Sequence, residues 1–434
     1  VAFNNYPTMR PLPLLSAFLI VSFSPNGVVV LSQTAQSELC VSETKIFTAQ
    51  VNLYAGELGS FYFEECGIDN INPHIAMEIG ETYTFIQKDR TNYYHPLGFA
   101  YSPFGDEELK LEVQPGTSKG DQSCIANLTC AAPMYFLNDN YLGQYSNLPE
   151  VKEVTTGEGD YGLGGYQPLF YRSVHEWTKY GTFSVQLKID DDQIENDLFY
   201  FCRVHEFMGG RIKLTKDGKA LNELDRPSLG YERDVISPFD EECGTYGLGD
   251  FELPNPLCPS RFVCTEEDQS ASVKDFSRCV DAMNCHMMSG MTTGTRAESE
   301  PALFIHQMIP HHQNAVNMAK ALIKTGSLKC DDLSQGSDPD CLLEGILLDI
   351  VNNQNYQIQL MYDYLDAKRL PEKDNCDVYV ETLREVLETS IGGGTVTQPP
   401  PSSVGSGGVA STVGFGKSSA GVLFGMALGF TILF

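Results

Sequence analysis

The hydrophobic pattern changes period partway along the chain. From Cys40 to about Leu221, short alternating or continuously apolar runs recur between Gly, Asp, Asn and Pro: TYTFIQ at 82–87, ELKLEVQ at 108–114, GTFSVQLKI at 181–189, LFYFC at 198–202 and GRIKLT at 210–215. Runs of this length and alternation predict strands. Their succession predicts an all-β sandwich over residues 36–225, interrupted by a Gly/Tyr-rich insertion (GDYGLGGYQPLFY) before Trp177. Residues 226–265 carry Pro, Gly and three cysteines with little periodicity and predict a disulfide-tied connector.

Beyond the connector the spacing becomes helical. Val273, Phe276, Val280, Met283 and Met287 lie on one stripe, and Pro301 suits the first turn of a second helix. A third helix is predicted over 341–370, and a fourth, with Val380, Leu383 and Leu387 on one side, ends near Ser390. Four helices with short connections predict an all-α four-helix bundle over 266–390, so the fold class is multidomain, β-sandwich plus helical bundle.

The ends point to export. One Arg precedes an apolar run too short to span a bilayer in MRPLPLLSAFLIVSF, and small residues follow, so 1–35 is expected to be a signal peptide. Residues 391–419 form a Gly/Pro/Ser stalk, and 420–434 are apolar, which suits a removable lipid-anchor (GPI-type) signal. Asn127-Leu128-Thr129 is a glycosylation sequon.

Composition narrows the partners. Fifty-seven acidic against 29 basic residues give a net charge of -28, which repels phosphate backbones and attracts cations. Nucleic acid is therefore not expected as a partner, and the membrane is expected only through the C-terminal anchor. Thirteen cysteines without a Cys-x-x-Cys pattern fit an oxidising compartment, and the odd count leaves at least one thiol for another role.

The candidate chemistry is concentrated in two places. In FIHQMIPHHQNAVNMAKAL, at 304–322, a helical wheel of 100° per residue puts Met308, His311, His312, Ala315, Met318 and Ala319 on one face about 120° wide. Pro310 removes the backbone bond to His306 and can turn His306 toward that face. Just upstream, MNCHMMSGM adds His286 and Met287. Six of the 12 methionines and four of the eight histidines fall between 283 and 318, too dense a cluster for chance. Imidazole and thioether donors together suit copper, thioether especially Cu(I). Methionine at helical spacing is also ordinary core filler, a reading that applies to Met283 and Met287. Cys285 can enter a disulfide, but not with Cys279, since six residues along a helix point them apart.

MIPHHQNAVNMA at 308–319 resembles the signature M-I-P-H-H-x-x-A-x-x-M-A of a family of unknown function with a ferritin-like helical bundle, some of whose bacterial members are secreted copper-binding proteins. DIVNNQNYQIQLMYDYL resembles that family's second signature and implies a role for Gln354 and Met361 on one helix face. The resemblance covers about 270–390. Di-iron Glu-x-x-His motifs are absent, with Leu303, Met308 and Ile309 at the required positions, and HEWTK at His175 lacks the second histidine of a zinc protease.

The second place is FYFCRVHEFMGGRIKL at 199–214, which sets Cys202, His205 and Met208 in one loop between apolar strands. A thiolate, two imidazoles and a weak axial thioether make a blue-copper centre. A histidine from an earlier strand should supply the second imidazole, and His95 is well placed for that role. This half resembles the cupredoxin family over about 40–221. Only Glu206 and Phe207 separate His205 from Met208, where small blue-copper proteins usually have four residues; the copper domain of cytochrome oxidase has the His-x-x-Met spacing but a second loop cysteine that is missing here. Phe201 and Arg203 stand where multicopper oxidases carry histidines, so oxidase chemistry is not expected. With Cys202 as ligand, twelve cysteines remain, enough for six disulfides.

The expected function is copper binding and handling outside the cytosol, by sequestration, transfer to a protein partner, or electron transfer between the two sites. A metal-free surface recognition domain and a copper-dependent oxidoreductase are the alternatives.

Overall fold

The computed structural model describes residues 39–101, 103, 133–143, 161–190, 197–225, 229, 235–264, 266, 268–292 and 299–372. The expected leader, the run at 108–114, the Asn127 sequon, the fourth helix, the stalk and the anchor signal lie outside them. The strands are β1 (Ile46–Asn52), β2 (Ser60–Phe63), β3 (Ile75–Glu78), β4 (Thr82–Gln87), β5 (Leu97–Ala100), β6 (Met134–Leu137), β7 (Asn140–Tyr141), β8 (Phe183–Lys188), β9 (Leu198–Cys202), β10 (Gly209–Lys216) and β11 (Lys219–Ala220). The helices are α1 (Leu163–Tyr166), α2 (Val174–Tyr180), α3 (Pro238–Cys243), α4 (Ala271–Thr292), α5 (Glu300–Lys324) and α6 (Pro339–Lys368).

Alternation in the sequence becomes two mixed sheets. One runs β2-β1-β4-β8-β6-β7 and the other β11-β10-β9-β5, with β3 joined to β10. The β1–β4 and β3–β10 pairs are parallel and the remaining pairs antiparallel. In β4 the inward phase takes Tyr83, Phe85 and Gln87, so a polar residue sits where the pattern calls for an apolar one. β9 is buried at all five positions, as a strand covered on both faces must be. Aromatic rings fill the space between: Phe47 against Phe63 and Phe85, Phe85 against Phe99, and Trp177 stacked on Phe183 with centroids 5.6 Å apart.

The helices continue this core. Leu347, Leu348 and Val351 of α6 belong to the same buried cluster as Phe47, Phe85 and Trp177. A Cβ placed on Gly345 would come within 2.9 Å of Val174 and His175, so only glycine lets α6 lie this close to α2. On α5, the buried Lys320 donates to the carbonyls of Gly56 (3.0 Å) and Glu57 (3.3 Å), and Gln313 reaches the Glu57 carboxylate, which fastens the helix to the β1–β2 turn. Gly290 of α4 lies against Pro310 of α5, where an added Cβ would fall 2.7 Å from the ring. The connector at 226–265 marks a change of sequence pattern while the packing runs straight across it. Three helices of the expected four are described.

Four disulfides lie among the described residues: Cys40–Cys66, Cys243–Cys279, Cys258–Cys285 and Cys330–Cys341. Two of them tie the connector to α4, and Cys279 and Cys285 each bond a partner there, as their opposed directions on the helix require. Cys202 is buried and Cys264 exposed, both outside any disulfide. Of the twelve cysteines available for six disulfides, Cys264 is free, so that full set is not made. The bonds that do form fit an oxidising compartment. Among the described residues no helix is long and apolar enough to cross a membrane.

Because helices and sandwich share one core, Leu348→Ala is expected to cost about 2–5 kcal/mol and to shift a single unfolding transition. Denaturation followed by tryptophan fluorescence (Trp177, on α2 and stacked on Phe183 of β8) and by far-ultraviolet circular dichroism should give coincident midpoints; two separated transitions would show independent units.

Candidate metal centre

His95, Cys202 and His205 come together at one end of the sandwich. The Cys202 Sγ lies 3.6 Å from His95 Nδ1 and 3.7 Å from His205 Nδ1, and the two Nδ1 atoms are 3.1 Å apart. All three side chains are buried. Among the described residues this is the one group of three or more His, Cys or carboxylate ligands close enough to share a metal ion.

Each ligand is placed by local backbone. Cys202 ends β9, opposite Leu97 of β5, and its N–H donates to the Met208 carbonyl (2.8 Å), closing the turn that carries His205. Phe207 closes that turn at φ 56°, in the left-handed region, an uncommon conformation for a bulky residue. His95 follows Tyr94, itself at φ 68°, and its N–H donates to the Asn92 carbonyl. The inward Gln87 of β4 then does what an apolar residue cannot. Its Nε2 donates to the His95 carbonyl (2.7 Å) and to Asn92 Oδ1 (2.9 Å), while its Oε1 accepts from the Leu97 N–H and the Tyr166 hydroxyl. Asn92 in turn donates to the Ala49 carbonyl, and the Arg203 N–H donates to Pro96, joining the two ligand loops.

The outer edge of the centre belongs to α6. The backbone carbonyl of Asn352 lies 3.1 Å from His205 Nε2 and accepts its proton. In a neutral imidazole that leaves Nδ1 with a bare lone pair aimed at Cys202 and His95, the tautomer a metal ligand needs. The Asn352 side chain donates to the Tyr93 carbonyl, two residues before His95.

Burial sets the protonation. Withdrawal from water holds His205 down to about 4, against a smaller opposing effect of its bond to Asn352. His95 is held well below its ordinary value by burial first and by the neighbouring His205 second. Burial also pushes the Cys202 thiol up to about 12, although the His205 N–H reaches its sulfur at 3.4 Å. At neutral pH the trio is thus two neutral imidazoles and a thiol. A cation between them reverses the preference of the sulfur, since metal-bound cysteine is a thiolate.

The donor atoms fit such an ion. The circle through three atoms with these separations has a radius of about 2.0 Å, a metal–nitrogen bond length and slightly short of a metal–sulfur one. Met208, whose carbonyl accepts from the Cys202 N–H, is buried in the core cluster that also contains Cys202.

The helical residues are distributed differently. His311 is exposed, while His312 has Nδ1 3.0 Å from the Met308 carbonyl and Nε2 2.8 Å from Gln357 Oε1, so both of its ring nitrogens are engaged. The expected turn of His306 toward them is corrected: its Nε2 donates to the Pro371 carbonyl at 2.8 Å. The packing of Ala302, Ile305 and Ile309 on Ile358 and Leu365 fixes that side of α5 against α6. Met287 and Met318 meet across α4 and α5, with sulfurs 3.3 Å and 3.9 Å from the Asn314 amide. His286 packs edge-on to Phe251, and Met361 packs against the α5–α6 cluster. Nothing in the strand or helix pattern singles out Gln87, Asn92 or Asn352. The one signal available is a polar residue at a position whose phase is inward.

In the unfolded chain His205 takes up its proton near 6.5, in the folded protein only near about 4. Between those values the unfolded chain binds more protons, so stability falls as pH falls. The metal-free protein is expected to lose more stability between pH 7 and pH 4.5 than His205→Gln does, read from urea midpoints at both pH values. Equal losses would show that His205 is not buried neutral.

Compared with known proteins, the chain matches no protein-family model, no curated protein and no solved structure.

Proposed function

We propose that this is an extracytosolic copper protein in which a cupredoxin-like sandwich holds a mononuclear centre and a ferritin-like helical region is packed upon it. The observation that supports this most is the meeting of two imidazole nitrogens and one thiol sulfur within 3.7 Å in a buried site. Two histidines and a cysteine in a triangle, with a buried methionine in the same loop as two of them, are a donor set that suits copper over magnesium or calcium. Bound there, copper supplies one-electron chemistry between Cu(I) and Cu(II). The chain's own contribution is to present both Nδ1 lone pairs, to give up the Cys202 proton on binding, and to keep water away.

The net charge of -28 favours cation capture. The disulfides and the apolar ends support a protein of the secretory pathway, tethered by a lipid anchor at the cell surface. Its partners are copper ions and a protein that exchanges electrons or copper with it. The exposed His311, with Met287 and Met318, offers a second and weaker place for copper on the helices.

The secreted form, expressed without residues 391–434 and titrated anaerobically with Cu(I) and aerobically with Cu(II), is expected to bind one ion tightly at the sandwich. Cys202→Ser should abolish the thiolate-to-copper absorption of the Cu(II) form and lower affinity at least 10-fold. A titration with zinc on the same sample separates the two metals: tighter zinc binding with no visible band for copper would overturn the reading.

A further inference from the structure

The centre is assembled by the sandwich but closed by the helices. On successive turns of one side of α6, Glu344, Asp349 and Asn352 all reach the segment that ends in His95. Arg90 Nη1 lies 2.6 Å from Glu344 Oε1 and also donates to the Cys330 carbonyl, at the disulfide that pins the start of α6. The Tyr93 hydroxyl donates to Asp349 Oδ1 at 2.7 Å. The Asn352 side chain holds the Tyr93 carbonyl, and its main-chain carbonyl holds His205. One helix thus grips both imidazoles, one through its loop and one directly. Tyr94 and Tyr171 stack edge-on at 5.3 Å beside His205, and Asn352 itself is buried. The ligands are buried, and α6 covers the outer edge of the centre through the Asn352 carbonyl.

We infer that α6 is the clamp of the metal centre, so that a bound ion is a resident one, exchanged only when this helix lifts from the 90–95 segment. The inference rests on the copper reading above and chooses within it: a centre closed this way retains its metal and passes electrons, in contrast to one that hands ions on. Asn352, Asp349 and Glu344 are positioning residues, acting through His205 and through the loop that carries His95. Loss of such outer contacts typically weakens metal binding 10- to 100-fold.

Release of Cu(I) from the loaded full-length secreted form into excess chelator tests this. Release from the wild type should be slow and independent of chelator concentration, limited by opening of the helix. Arg90→Gln combined with Tyr93→Phe, which cuts two of the links, should release about 10- to 100-fold faster. Gly345→Ala, which improves helix propensity yet drives a Cβ into Val174 and His175, should do the same. Leu187→Ala, a core truncation in β8 that touches none of the polar links from α6 to the 90–95 segment, should lower stability without speeding release. Release that rises in proportion to chelator, or unchanged rates in both clamp variants, would overturn the clamp while the copper reading stands. A wild type that binds no copper would overturn both, and equal acceleration by Leu187→Ala would reduce the clamp to general stability.

Discussion

Two imidazoles and a thiol withdrawn from water cannot satisfy one another, and much of the surrounding structure follows from that constraint. The His205 proton is drawn outward to Asn352, which leaves its Nδ1 lone pair 3.1 Å from His95 Nδ1 and a sulfur near both. Burying such polar groups away from water is costly. Holding it together requires rigid backbone on every side, which Gln87 and Asn92 supply from within the sandwich and α6 from without. The left-handed residues Tyr94 and Phe207, each adjacent to or near a ligand, mark where the chain is held in conformations it would otherwise avoid.

Much of this was legible in the sequence where the signal is local. TYTFIQ, LFYFC and GRIKLT became β4, β9 and the core of β10, and Cys202, His205 and Met208 share a loop because they are close along the chain. His95 is over a hundred residues away, and its place depends on the pairing of β5 with β9, which no local pattern encodes. The supporting amides were illegible for a different reason: Gln87 and Asn352 read as faults in an apolar pattern until the groups they bond are known.

The helical face shows the converse. A wheel correctly groups His311, His312, Met308 and Met318 by angle, yet angle alone does not say which side faces a neighbour. The buried side of α5 includes Asn314, Asn317 and Lys320, polar residues drawn inward by the β1–β2 turn, the Tyr246 loop and the thioethers of α4. Lys320 in particular exchanges water for two backbone carbonyls, and burial lowers its pKa to about 8. Tertiary partners, absent from the periodicity, decided the orientation.

The shared core also has a consequence for biosynthesis. α6 is the last described helix to be translated, and without it the sandwich lacks the carbonyl that orients His205 and the grip on the loop bearing His95. A nascent chain therefore carries its three candidate ligands without their outer support until nearly all of its folded portion has been made. Any ion the centre takes is thus closed in only by a nearly finished chain, an order imposed by the position of α6 in the sequence.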